Sequence, residues 1–194
     1  RIVCVANQKG GVGKTTTASN VAAGLAKAGM QTLLVDLDPQ CNATTGLGGV
    51  PAKTHPLVSE AALSENVVST AVTNLSLLPG SRSVRDVERI AEQARAGSMV
   101  LSNHLSCGLN AWDYCLIDCP PSLGELTRTA LAGSTEVLMP IQCEYFALEG
   151  LTQMIEVIRD VMADQPGRLS FSGIVLTTHG ANLELTTEVE REVR

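Results

Sequence analysis

Aromatic residues are scarce in this 194-residue chain: two Phe, two Tyr and one Trp, 3% of the total. A core built with so few must rest on Val, Leu, Ile and Ala. That argues against an aromatic-rich β-sandwich and suits parallel strands alternating with helices. Basic charge is short as well. Asp and Glu number 20 against 14 Lys and Arg, a formal charge of −6, so the chain lacks the positive footprint of a free-standing nucleic-acid-binding domain. No apolar run approaches the roughly 18 residues needed to cross a bilayer, and no charged segment followed by a long apolar one marks a secretory leader. None of the six cysteines (Cys4, Cys41, Cys107, Cys115, Cys119 and Cys143) forms a Cys-x-x-Cys pair. A chain of this length needs no disulfide frame, so these thiols are expected to be reduced and non-ligating, in a cytoplasmic protein. Internal repeats and low-complexity linkers are absent, which leaves one domain over residues 1–194 as the expectation. Arg1 opens directly on a strand-like run and Arg194 falls inside a helical one, so the chain reads as a fragment, incomplete at its C-terminal end.

What is present is a repeating alternation. Short apolar runs at Ile2–Ala6, Thr32–Leu37, Leu75–Leu78, Tyr114–Asp118, Glu136–Met139 and Gly173–Thr177 read as strands. Between them lie segments with helical spacing around 84–96, 122–132, 147–163 and 185–194. The first helix follows strand one, with Ala18, Val21, Ala22, Leu25 and Ala26 on one face and Gly29 as its stop. Residues 41–72 are rich in Gly, Ser, Thr and Asn and predict loops and short helices. Repeated β-α-β units with buried strands mean a mostly parallel sheet flanked by helices on both faces. In such sheets ligands bind along the edge formed by the strand C-termini.

The segment between strand one and the first helix is Asn7-Gln8-Lys9-Gly10-Gly11-Val12-Gly13-Lys14-Thr15-Thr16. A Gly-Lys-Thr ending between a strand and a helix is the physical recipe for a phosphate cradle. Glycines permit a tight path, and the N–H groups of the loop point inward at an anion. The helix start adds its positive dipole end. Lys14 supplies a point charge to the β- and γ-phosphates, and the Thr15 hydroxyl can ligate Mg²⁺. The strict pattern G-x-x-x-x-G-K-[ST] fails at its first glycine, where Gln8 stands. The loop instead carries a second lysine, Lys9, five residues before Lys14. In a loop wrapped around a polyanion that lysine also points to a phosphate role.

Two strand ends carry carboxylates. Strand two runs into Asp36-Leu37-Asp38-Pro39-Gln40, and period-two alternation puts Asp36 and Asp38 on the same side. Two adjacent carboxylates repel unless a cation, donors or water separate them. A site with Mg²⁺, phosphate and an attacking water is one reason to keep them; a solvent-facing strand end is the other. Strand four ends in Asp118, followed by Cys119-Pro120-Pro121-Ser122. An apolar run ending in Asp, about a hundred residues after a phosphate loop, is a Walker B pattern whose carboxylate holds Mg²⁺ or its waters.

The word KGGVGKT resembles the deviant Walker A motif of the ParA/MinD group of P-loop ATPases. DLDPQ followed by CNATTGLG, then DCPPSLG, then PIQCEYFALEGL (Pro140 to Leu151) resemble the ParA/Soj partition ATPases in particular, over essentially the whole chain. The resemblance implies ATP and Mg²⁺ as cofactors, with Lys9, Gly10, Gly11, Val12, Gly13, Lys14, Thr15 and Thr16 cradling the nucleotide. It makes Lys9 the signature lysine that crosses to the partner's nucleotide in a homodimer closed over ATP, and places Gly10 where the subunits approach. Asp38 inherits the role of positioning the hydrolytic water, Asp36 that of supporting the magnesium shell, and Pro120-Pro121 a switch that senses the γ-phosphate. The activity implied is slow ATP hydrolysis driving chromosome or plasmid partition. It comes with non-specific DNA binding in the ATP state, a ParB-like activator and a nucleoid-associated cytoplasmic location. One departure stands at Asn182, in Thr177-Thr178-His179-Gly180-Ala181-Asn182, where the Soj branch has a DNA-contacting arginine; losing that charge lowers phosphate affinity and salt dependence. His179 is given no catalytic role. Three rivals stay open: a MinD-like membrane or polar-positioning regulator, an iron–sulfur carrier using Cys119, and a non-hydrolysing adaptor.

Overall fold

The computed structural model describes residues 1–59, 62–86, 111–143 and 147–178. Its sheet has seven strands: β1 (Ile2–Val5), β2 (Thr32–Asp36), β3 (Val68–Ser69), β4 (Leu75–Leu78), β5 (Tyr114–Asp118), β6 (Glu136–Gln142) and β7 (Ser170–Thr177). Their order is β3-β4-β2-β5-β1-β6-β7, parallel throughout except for the β3–β4 pair at one edge. The helices are α1 (Lys14–Lys27), α2 (Asn42–Gly46), α3 (Pro56–Ser59), α4 (Leu63–Asn66), α5 (Glu125–Gly133) and α6 (Ala147–Asp164), with a 3-10 turn at Arg82–Val84. This is the P-loop NTPase architecture.

Alternation along the buried strands sorts the core onto two faces. Leu34, Leu75, Leu77, Leu116 and Val5 pack with Ala18, Ala22 and Ala26 of α1 and Ala43 of α2. Leu33, Val35, Leu78, Cys115, Ile117, Val137 and Met139 pack on the other face with Leu126, Ala130 and Leu131 of α5 and Met154, Ile158 and Val161 of α6. The alanine stripe of α1 lets its backbone lie close to the sheet, which brings its N-terminus against the ends of β1 and β5. Gly29 ends α1 as expected. With φ at +94°, it forms a Schellman cap in which Met30 N–H donates to Leu25 C=O and Gly29 N–H to Ala26 C=O.

The differences from expectation are local. Val21 is 37% exposed; the buried face of α1 is the i, i+4 row of alanines, from which Val21 is rotated. Residues 41–72 hold an unexpected element, β3, two exposed residues that add an antiparallel edge beside β4. Such a short strand carries too little apolar alternation to be read from sequence. Strand β6 continues past Met139 through Pro140 to Gln142. Pro140 fits because β1 pairs with β6 only as far as Val5 opposite Leu138, so the missing N–H faces the space past the end of β1. Strand β7 begins three residues early, across a register shift opposite Val137 and Leu138. The segment expected as helix at 84–96 is a 3-10 turn up to Val84, and its remainder after residue 86 lies outside the described residues. So do Cys107, His179, Asn182 and the helix expected at 185–194.

Candidate active site

The C-terminal ends of β1, β2 and β5 bring four sequence-singled residues together. β5 lies between β1 and β2, and Asp36 sits in register opposite Asp118. The loop after β1 leads into α1, whose first residue is Lys14, and Gly13 caps it in the left-handed region at φ +87°. A side chain there would be strained, and its Cβ would stand 3.4 Å from Thr177 Cγ2.

Three braces give the loop its shape. Asn7 donates from Nδ2 to Pro140 C=O at 2.7 Å while its Oδ1 accepts from Lys9 N–H at 3.0 Å. Gln142 Nε2 donates to Gly11 C=O at 3.0 Å. Thr177 Oγ1 donates to Val12 C=O at 2.9 Å. None of these three was singled out from the sequence. A polar residue at or just past a strand end, next to a glycine-rich loop, is the signal that would have found them.

Lys14 is buried, and its ammonium donates to the Lys9 carbonyl at 2.8 Å. Burial lowers its pKa, opposed by the charge of Asp118 first and then by Cys119 and Asp38. Asp118 is fully buried, and neither carboxylate oxygen has a hydrogen-bond partner of good geometry. Burial pushes its pKa up to about 7. The nearby Thr15 hydroxyl and Lys14 work the other way, and the charges of Asp36 and Asp38 add to the rise. A buried carboxylate without donors calls for an explanation, and a cation seated there is one. Among the described residues no group of three or more His, Cys, Asp or Glu forms a metal cluster. This suits magnesium, which takes one or two carboxylates plus substrate phosphates rather than an all-protein cage.

Asp38 lies just beyond β2 and is nearly buried. Its Oδ1 accepts from Gln40 N–H at 2.8 Å, and its carbonyl from Cys41 N–H at 2.8 Å. The carboxylate is thus fixed by its own turn, within electrostatic reach of Lys14 and Asp118. Asp36 departs from its expected part in a magnesium shell. Its Oδ2 accepts from Thr44 N–H at 2.8 Å and Thr44 Oγ1 at 2.6 Å, and its Oδ1 from Asp38 N–H at 3.2 Å. Thr44 Oγ1 in turn accepts from Gly80 N–H at 2.8 Å. Both oxygens of Asp36 are engaged inside the protein, so it fastens α2, the Asp38 turn and the end of β4 to one another. A Cβ on Gly80 would lie 2.8 Å from Asp36 Cγ, which is why glycine follows Pro79. Sequence alternation paired Asp36 with Asp38; only the fold shows that one carboxylate is structural.

A glycine-bent loop after β1, a buried lysine at a helix start, and a donor-poor carboxylate ending the neighbouring strand define the site of a P-loop nucleoside triphosphatase. A family model described as an AAA domain matches residues 1–171. The chain is 44% identical over 191 residues to the chromosome-partitioning ATPase Soj of Treponema pallidum, covering 96% of this chain and 75% of that protein. It is 40% identical to the sporulation initiation inhibitor protein Soj of Bacillus subtilis, covering 100% and 79%. Among solved structures, it is similar to a cobyrinic acid a,c-diamide synthase of Mycobacterium smegmatis with a bound ATP analogue and magnesium. That match has 34% identity and a TM-score of 0.93 and covers 100% of this chain and 81% of the other. The chain belongs to the Soj/ParA family of chromosome-partitioning ATPases.

Proposed function

We propose that this chain is an ATP-hydrolysing switch for chromosome or plasmid partition. ATP with Mg²⁺ occupies the loop from Lys9 to Thr16, where Lys14 and the N–H groups of the loop hold the phosphates. Bound magnesium neutralises charge on the phosphates, and Thr15 Oγ1 and Asp118 hold it or its water ligands. Asp38 orients the attacking water. Its fixed turn means that little reorganisation is needed at the moment of reaction. Lys9 reaches the partner's nucleotide when two copies close over ATP, with Gly10 at the seam. The closed dimer binds DNA without sequence preference, and a ParB-like activator triggers hydrolysis and release. The observation that carries this reading is the buried, unpartnered Asp118 carboxylate facing the Lys14–Thr15 start of α1.

Co-sedimentation with non-specific DNA, with and without Mg-ATP, tests it, using Asp38→Ala to hold the bound state. ATP-dependent DNA binding is expected. ATP-driven dimerisation without DNA binding would move the cargo to a membrane or a protein, as in the MinD-like alternative. Failure to bind ATP would overturn the site itself.

A further inference from the structure

A cavity of about 420 Å³ lies beside the Asp38 turn, lined among others by Gln40, Cys41, Thr45, Lys53, Ser81 and Arg82. Its volume is within the range of sites that take a small group, about 300–1,000 Å³. Both charged side chains in its wall are cations, in a chain whose net charge is −6. Lys53 and Arg82 are exposed, and neither makes an ion pair among the described residues. The walls are built in place rather than loose. Ala52 N–H donates to Gly80 C=O at 2.9 Å, and Ser81 Oγ donates to Lys53 C=O at 3.1 Å. Val50 precedes the lining segment and is 80% exposed, the largest exposure of any large apolar side chain described.

We propose that this cavity is a docking site for an acidic peptide segment of a partner protein. It seats one carboxylate at Lys53 and Arg82 and an adjoining apolar side chain against Val50. The proposal rests on the reading of Asp38 given above and deepens it. One wall of the cavity is the turn whose Gln40 and Cys41 amides hold Asp38. A ligand pressing on that wall acts on the residue that orients the attacking water. The cavity is therefore placed for an activator. Duplex DNA is the poorer occupant: a phosphate backbone calls for a track of cations along a surface, whereas two cations around a concavity with an apolar lip match a single carboxylate beside a hydrophobic side chain.

The test uses the full chain with Mg-ATP and the peptide acetyl-Gly-Glu-Leu-Gly-amide, followed by amide chemical shifts and by phosphate release. Saturable shifts at Gln40, Cys41, Lys53 and Arg82 are expected at roughly millimolar peptide, together with faster phosphate release. The Gln-for-Glu peptide and the double variant Lys53→Glu with Arg82→Glu should each weaken binding by about tenfold or more. Both positions are exposed, so the double variant keeps its fold. Val50→Asp offers a second route, weakening the peptide while leaving both cations in place. Equal shifts from the Glu and Gln peptides, or shifts from a short DNA duplex but not from the peptide, would overturn the proposal. Docking without any change in phosphate release would overturn the link to Asp38. If the wild-type chain releases no phosphate at all, the partition-ATPase reading fails, while the peptide shifts still decide the docking site.

Discussion

Replacing Thr44 with Val removes one hydroxyl and almost nothing else, at a side chain that is fully buried. That hydroxyl donates to Asp36 Oδ2 at 2.6 Å and accepts from Gly80 N–H at 2.8 Å. A hydrogen bond to a charged group is worth about 1.5–3 kcal/mol, and an amide left buried without a partner costs about 1–3 kcal/mol. Together Thr44→Val should lose roughly 3–5 kcal/mol, a large share of an ordinary domain's stability of about 5–15 kcal/mol. Urea unfolding should show this as a lower midpoint at an unchanged slope. Thr44→Ser keeps both bonds and drops one methyl, so its loss should stay near 1 kcal/mol.

A pH series sharpens the test. Burial raises the Asp36 pKa, and the Thr44 hydrogen bonds oppose that rise. Removing the hydroxyl raises the folded-state pKa further, so the folded variant holds its proton to higher pH than the unfolded chain does. The deficit of Thr44→Val is therefore fully present above the raised pKa and shrinks as the pH falls through it. Equal losses for the Val and Ser variants, or a Val deficit that does not change with pH, would refute the account of Asp36 as a charged fastener.

The remaining predictions concern the nucleotide. Asp118 has a folded-state pKa of about 7 against an unfolded value near 3.8, so the stability it contributes is present at low pH and is lost as pH rises toward 7. Asp118→Asn should remove that slope, leaving the nucleotide-free variant more stable than wild type at pH 8 while weakening magnesium-dependent nucleotide binding. Thermal unfolding across pH 4–8 reads the first effect and calorimetry with and without Mg²⁺ the second. Lys14→Ala should abolish ATP binding; unchanged affinity by calorimetry would sink the cradle assignment. Asp38→Ala should keep ATP yet stop phosphate release, and wild-type release from that variant would remove Asp38 from the mechanism.

Much of this architecture was written plainly in the residues. The apolar strands, the alanine row of α1 and the Gly29 stop follow from periodicity and backbone preference, which are local. The nucleotide loop was legible because its chemistry occupies ten consecutive residues. The division of labour between Asp36 and Asp38 was not, because it depends on Thr44 and Gly80, which only folding brings alongside. The braces from Asn7, Gln142 and Thr177 were hidden for the same reason: each is an unremarked polar residue until the strand order makes it a neighbour of the loop. Strand β3 was invisible because two exposed residues pair by backbone alone.

The reliance of the nucleotide loop on distant strand ends bears on how the protein is made. Val12 and Thr177 are 165 positions apart, and Gly11 and Gln142 are 131 apart. The loop sequence leaves the ribosome early, but the residues that set its curvature emerge long afterwards. Contacts of such long separation are slow to form and complete late in folding. During synthesis, then, the chain can form β1 and α1 well before it can hold a nucleotide. Its ability to bind ATP is acquired only when β6 and β7 have docked, which makes nucleotide capture a report that the sheet is finished.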